Sequence, residues 1–275
     1  MLNFNLATKL EGCFFDLNTS FTHLKDFTLH KYEQFLKSAL NQGYQLTSYQ
    51  DYLENDYPKA MVLRHDVDKK PQNSLRTAQL QHQLGVKGTY YFRAVPESFD
   101  DIIIKKIVDL GHEVGYHYED LTICKGNYEN AIQHFEKWLE KLRVFYPVKT
   151  ICMHGSPLSK WDNKLLWDKY NYRDYGIVAE PYFDIDFNKV FYITDTGRKW
   201  DGNKVSVRDK VSSNFNLSFH STDELIKAFE NNQMPHHIMQ NIHPQRWTNN
   251  TIEWWKELLV QRSKNVIKKA IFVKS

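Results

Sequence analysis
The chain reads as an α/β protein whose parallel strands curl into a barrel, and three observations predict this. From about residue 60 onward, short β-branched or apolar runs alternate with segments of helical period, the order expected of strand–helix units in a parallel sheet. Nearly every such run ends in a polar group suited to chemistry, which is where barrels of this kind carry their functional residues. Neither Gly-x-Gly-x-x-Gly nor Gly-x-x-x-x-Gly-Lys occurs, so a nucleotide-binding doubly wound sheet loses its signature.

The elements follow in order. Ala60 to Val67 is strand-like, Pro71 suits a first helical turn, Leu75, Ala78 and Leu84 form an apolar face, and Gly85 is a stop. Val86 to Phe92 is the second strand and Asp101 to Leu110, closed by Gly111, the second helix. Glu113 to Tyr118 is the third strand, before a long helix with Ala131, Phe135, Trp138, Leu139 and Leu142 at helical spacing. Thr150 to His154, Gly176 to Ala179, Lys189 to Thr194 and His237 to Ile242 bring the strands to seven. Ser221 to Glu224 has capping-box form, and Thr251 to about Lys269 lines up Ile252, Trp255, Leu259, Arg262 and Val266 on a face expected to close the fold. No linker interrupts this order, so a single domain is expected: residues 1–58, with one amphipathic helix around Tyr32 to Leu40, form an N-terminal extension packed on a barrel of residues 59–275.

Composition removes several function classes. Thirty-six Lys and Arg against 33 Asp and Glu leave a formal charge of +3 with scattered basic residues, which argues against a nucleic-acid footprint. Cys13, Cys124 and Cys152 are odd in number and lack Cys-x-x-Cys spacing, so neither a disulfide framework nor a zinc ribbon is indicated. The N-terminal stretch does not read as a signal peptide and no segment is long enough for a membrane span, which points to a cytoplasmic protein.

The candidate site is assembled from strand ends. In Leu63-Arg64-His65-Asp66-Val67-Asp68, alternation puts Arg64, Asp66 and Asp68 on one face and His65 and Val67 on the other. Two crowded carboxylates need a cation or a shared proton, unless they merely cap the next helix. His117 and Glu119 end the third strand, His154 the fourth, and His243 the last, while Asp195 lies just beyond the sixth in turn-like sequence. His112 reads as a structural histidine, and Arg64 as a neutraliser of Asp66.

With Asp66, Asp68, the string Gly111-His112-Glu113-Val114-Gly115-Tyr116-His117 and the late His243 in place, the chain resembles the polysaccharide deacetylase superfamily, the NodB-homology or carbohydrate esterase family 4 fold. The strings Met153 to Pro157, Glu180 to Phe187, Thr194 to Trp200 and Asn241 to Trp247 look like its WbmS-type branch, associated with O-antigen and other surface-polysaccharide gene sets. The resemblance implies a distorted (β/α)7 barrel and a metal-dependent N-deacetylase acting on an acetamido sugar of a surface-polysaccharide precursor, nucleotide- or lipid-linked. It implies a divalent ion, Zn²⁺ above all, on Asp68 and His117, with Asp66 as base and His243 as acid. Arg64, Asp195, Arg198 and Trp200 are implied on the substrate side.

One departure stands out. The superfamily's second motif continues to a further histidine four residues on, and Leu121 occupies that place. The third ligand must then come from elsewhere, with His154 preferred, Glu119 next and Asp120 third. The alternatives to the deacetylase are another metal-dependent hydrolase on the same barrel and a catalytically silent sugar-binding protein.

Overall fold
A computed structural model describes residues 25–200 and 211–272. Seven strands form one parallel sheet: β1 (Gln45–Thr47), β2 (Ala60–Val67), β3 (Thr89–Phe92), β4 (Glu113–Tyr118), β5 (Ile151–Met153), β6 (Phe191–Thr194) and β7 (His237–Ile242). The order β5-β4-β3-β2-β7-β6 puts β7 beside β2, so β2 to β7 follow one another around a curled sheet with a seam between β5 and β6. A bridge from Thr150 to Ala179 extends the β5 side toward that seam.

β2 is the pivot of the sheet. Its eight residues are all buried, and one edge is shared in succession by β1, pairing at Ala60 to Val62, and β3, pairing at Arg64 to Val67. The expected count of seven strands therefore holds with a different membership. Gly176 to Ala179 supplies only a bridge, while Gln45 to Thr47, with its helix Leu29–Asn41 packed on Thr222–Glu230, supplies the strand. A three-residue strand seated on another strand's edge leaves almost no period-2 pattern to read.

Sidedness follows the alternation. Met61, Leu63, Ile238 and Ile242 point outward into a core with Tyr32, Phe35, Phe229 and Trp247. On the other flank Tyr90, Phe92, Val114, Tyr116 and Ile151 pack under the helices Asp101–Asp109 and Tyr128–Arg143 through Ile104, Ile107, Phe135 and Leu139. The concave face is different: apart from a patch around Val62, Tyr49 and Met239, it carries Arg64, Asp66, Glu113, His117 and Asn241. Gly115 is required there, because a Cβ would lie 2.3 Å from the Tyr91 ring.

The helices obey their local signals. Thr28, Ser48, Asp100, Asn127 and Ser221 each accept a backbone N–H of the first turn that follows them. The C-terminal helix Thr251–Phe272 corrects one expectation. Ile252 is 66% exposed, Trp255 49% and Leu259 59%, whereas Glu257 and Gln261 on the opposite face are buried. The apolar stripe expected to close the fold faces outward. Among the described residues no helix is long and apolar enough to cross a membrane.

Candidate metal centre and acid-base groups
The C-terminal ends of β2, β4, β5 and β7 meet around one cavity of about 680 Å³, lined among others by Asp68, Arg93, His154, Gln245, Arg246 and Lys264. Strand pairing accounts for the meeting: β2 lies between β3 and β7, and β4 between β3 and β5, so residues far apart in sequence end at the same rim.

Asp66 ends β2 inside the sheet and is held from three sides. Arg64 Nε donates to its Oδ1 at 2.9 Å, Arg64 Nη2 to its Oδ2 at 2.7 Å, and Asn241 Nδ2 to Oδ2 at 2.9 Å. Burial alone would raise the Asp66 pKa, but Arg64 and His117 outweigh it and hold the carboxyl well below its ordinary range. The Asp68 N–H donates to the Asp66 carbonyl at 3.0 Å, a tight reversal after the strand. Gln245 Nε2 donates to Asp68 Oδ2 at 3.2 Å, while buried Asp68 Oδ1 has no hydrogen-bond partner.

Two imidazoles face that orphaned oxygen. His117 gives its Nδ1–H to the Cys152 carbonyl at 2.9 Å, which leaves a lone pair on Nε2, 3.7 Å from Asp68 Oδ1. His154 gives its Nδ1–H to Glu119 Oε2 at 2.9 Å, and its Nε2 lies 3.4 Å from the same oxygen. Burial pushes His117 down to about 4, so its ring is neutral near pH 7. The His117 lone pair and the anionic Asp68 oxygen repel one another unless a cation sits between them. Ligand atoms of Asp68, His117 and His154 all lie within 4.8 Å of one another, as do those of Asp66, His117 and Cys152. The first set suits an ion better, because the charge of Asp66 is already matched by Arg64.

Glu119 serves the histidine. Its Oε2 accepts from His154 and from Ser156 Oγ at 3.0 Å, its Oε1 accepts from Arg93, and it is drawn down to about pKa 2 despite burial. A carboxylate behind an imidazole fixes the tautomer that presents Nε2 to a metal. Asp120 is buried elsewhere, accepting from His134 Nδ1 at 2.5 Å and Tyr116 Oη at 2.7 Å, and Leu121 lies in the outer core.

His243 closes the cluster from β7's end, its Nε2 3.8 Å from Asp68 Oδ2 and its Nδ1 2.6 Å from Asp195 Oδ1. Burial and Arg246 push this imidazole down, yet Asp195 and Asp68 prevail and its pKa is raised. Asp195 also accepts from Trp247 Nε1 at 2.7 Å and Arg246 Nη1 at 2.5 Å, so it is a buried anchor for His243 and for the turn that follows.

The structure does not bring Arg198 and Trp200 to the cavity. Trp200 is packed among Phe27, Phe35 and Trp247 with its N–H on Thr222 Oγ1, and the Arg198 guanidinium lies 4.9 Å from the Phe27 ring and 4.7 Å from Trp254. Arg64 meets Asp66 and Tyr182. Asn241, Gln245 and Arg93 were missed from sequence. Asn241 and Arg93 could have been found by strand phase, since they fall two residues from His243 and from Tyr91.

No protein-family profile matches the chain, and no curated protein does. Solved structures with partial likeness include a carbohydrate esterase family 4 pseudoenzyme from Bacillus anthracis, 14% identical over 77% of this chain and 67% of that one at TM-score 0.41. Others are a family 4 carbohydrate esterase from Streptomyces lividans (13% identity, 77% and 88% covered, TM-score 0.39) and a peptidoglycan N-acetylglucosamine deacetylase (18%, 82% and 89%, TM-score 0.38). At TM-scores below 0.5 these likenesses are slight.

Proposed function
We propose that the protein is a metal-dependent N-deacetylase acting, in the cytoplasm, on an acetamido sugar of a surface-polysaccharide precursor of the O-antigen or capsule type. The observation that carries this reading is the convergence of orphaned Asp68 Oδ1 with the Nε2 atoms of His117 and His154, beside a carboxylate and a raised-pKa histidine. The motif resemblance to polysaccharide deacetylases, and to their WbmS-type branch, names the reaction.

Two imidazoles and one carboxylate suit Zn²⁺ and leave a coordination position open. Bound there, the ion supplies Lewis acidity to the amide carbonyl and lowers the pKa of a water. Asp66, kept ionised by Arg64 and aimed by Asn241, would accept the proton of the attacking water as its oxygen bonds to the acetyl carbon. His243, held on Asp195, which raises its pKa, would give a proton to the sugar nitrogen as the C–N bond breaks. Acetate and a free amino sugar leave.

The cavity also bears on the carrier. Among the described residues its lining sets Lys69, Arg93, Arg246 and Lys264 against Asp68, Glu97 and Glu257 and holds no Phe, Tyr or Trp, which favours ionic groups over stacked neutral sugars. This supports a sugar carried on a nucleotide or lipid phosphate.

Elemental analysis of purified protein and acetate release from a nucleotide-linked N-acetylhexosamine test the reading together. Stoichiometric zinc with acetate release is the expected result. Zinc without acetate would make the protein another metal-dependent hydrolase, and no metal uptake in excess zinc would make it a catalytically silent sugar-binding protein.

A further inference from the structure
The C-terminal helix is amphipathic in the reverse sense of an ordinary surface helix. Its inner face carries the polar side chains Glu257, Gln261 and Lys264, which line the cavity, with Glu257 3.2 Å from Lys69, beside half-buried Trp254 and Leu258. Its outer face presents Ile252, Trp255, Leu259 and Val260 at 66%, 49%, 59% and 44% exposure. At 100° per residue these side chains form one stripe, with exposed Lys256 inside it and exposed Arg262 along its border. Lys25 adds a third cation, its Nζ 5.7 Å from the Trp255 ring centroid. Of the two acidic residues in the helix's described part, Glu257 is buried against Lys69, and Glu253, at the stripe's other border, is engaged by Thr248 and Arg76.

Charge decides what covers such a stripe. In a back-to-back pair of copies, Lys256 and Arg262 would approach their own equivalents with no carboxylate on the stripe to answer them. The four apolar side chains among the described residues also fall short of the roughly 800 Å² per partner of a stable protein interface. An anionic lipid surface answers both points, since it takes up apolar side chains at the headgroup boundary and attracts the flanking cations.

We propose that the protein docks on an anionic lipid surface through the outward face of Thr251–Phe272, with Ile252, Trp255 and Leu259 seated at the acyl-chain boundary and Lys256 and Arg262 among the headgroups. The opposite face of the same helix lines the cavity, so docking brings the cavity mouth within about one helix diameter, roughly 10–12 Å, of the lipid. Leu158, 81% exposed, adds an apolar group at the cavity rim.

Co-sedimentation of the full chain with vesicles of phosphatidylcholine alone, or mixed with phosphatidylglycerol, is the test. The wild type is expected to sediment with the mixed vesicles and to be released as salt rises. The double variant Trp255→Ser/Leu259→Ser is expected to bind at least about tenfold more weakly, while its circular dichroism and zinc content stay unchanged. Lys256→Glu/Arg262→Glu is expected to abolish the preference for the anionic vesicles. Failure of the wild type to sediment with either vesicle would overturn the proposal. So would a wild-type dimer in light scattering that Trp255→Ser/Leu259→Ser converts to monomer, because the stripe would then be a contact between copies. None of these readouts depends on the hydrolytic activity.

Discussion
The two ends of the curled sheet each hold ionisable groups and treat them in opposite ways. At the end where the strands begin, Glu113 accepts from the Gln50 N–H at 2.9 Å, from Thr89 Oγ1 at 2.6 Å and from Thr150 Oγ1. Burial raises its pKa, and protein donors surround it. At the end where the strands finish, Asp68 Oδ1 faces the Nε2 atoms of two imidazoles and has no hydrogen-bond partner. The first arrangement is complete as it stands, whereas the second needs a cation, and that difference separates a structural network from a site.

The histidines repeat the contrast. His65 is bonded at both nitrogens, to the Thr89 carbonyl at 2.9 Å and Gln81 at 2.8 Å, and His112 likewise, to the Gly88 N–H at 3.1 Å and the Ala78 carbonyl at 2.9 Å. His117 and His154 each spend Nδ1 on the protein and aim Nε2 at Asp68. A histidine in a strand motif is therefore read by whether its second nitrogen is occupied.

The comparison breaks most sharply at the aspartates. Asp68→Asn is expected to lose the metal and with it all activity, whereas Asp66→Asn should retain metal in elemental analysis and lose roughly 10²–10⁴-fold in rate. The reverse pattern would exchange their roles. At the other end, Glu113→Ala strands two hydroxyls and an N–H, so urea unfolding should show a loss of about 3 kcal/mol with zinc content unchanged. A loss of zinc there would mean that the two ends are not independent.

Acid sharpens the histidine contrast. Burial lowers His65 to about 3 and His112 to about 4, against an ordinary value of 6.5. The unfolded chain then binds more protons than the fold below pH 6.5, so this stability is fully present above 6.5 and declines as pH falls toward the folded values. Unfolding measured from pH 7 to pH 4 should show a decline on the order of 3 kcal/mol for each group that stays neutral, and His112→Gln should reduce it. A flat profile would mean that these rings are not held neutral. The smallest effect expected is that of Glu119→Gln, which leaves His154 in place but weakens its orientation. Zinc affinity should fall about 10–100-fold while the fold keeps its melting temperature.

Local pattern carried a good part of this protein. Period-2 alternation separated Arg64 and Asp66 from His65 and Val67, and the capping box at Ser221 marked a helix start, because both signals lie within a few residues of chain. Ring order and partner choice needed tertiary structure. That β1 joins the sheet in place of Gly176 to Ala179, that His154 meets Asp68 and His117, and that Arg198 and Trp200 turn to the outer core all depend on pairings between distant segments. The stripe Ile252, Trp255 and Leu259 makes the point most plainly: helical period shows that a face is apolar, but only packing against the cavity's polar wall decides that this face looks outward.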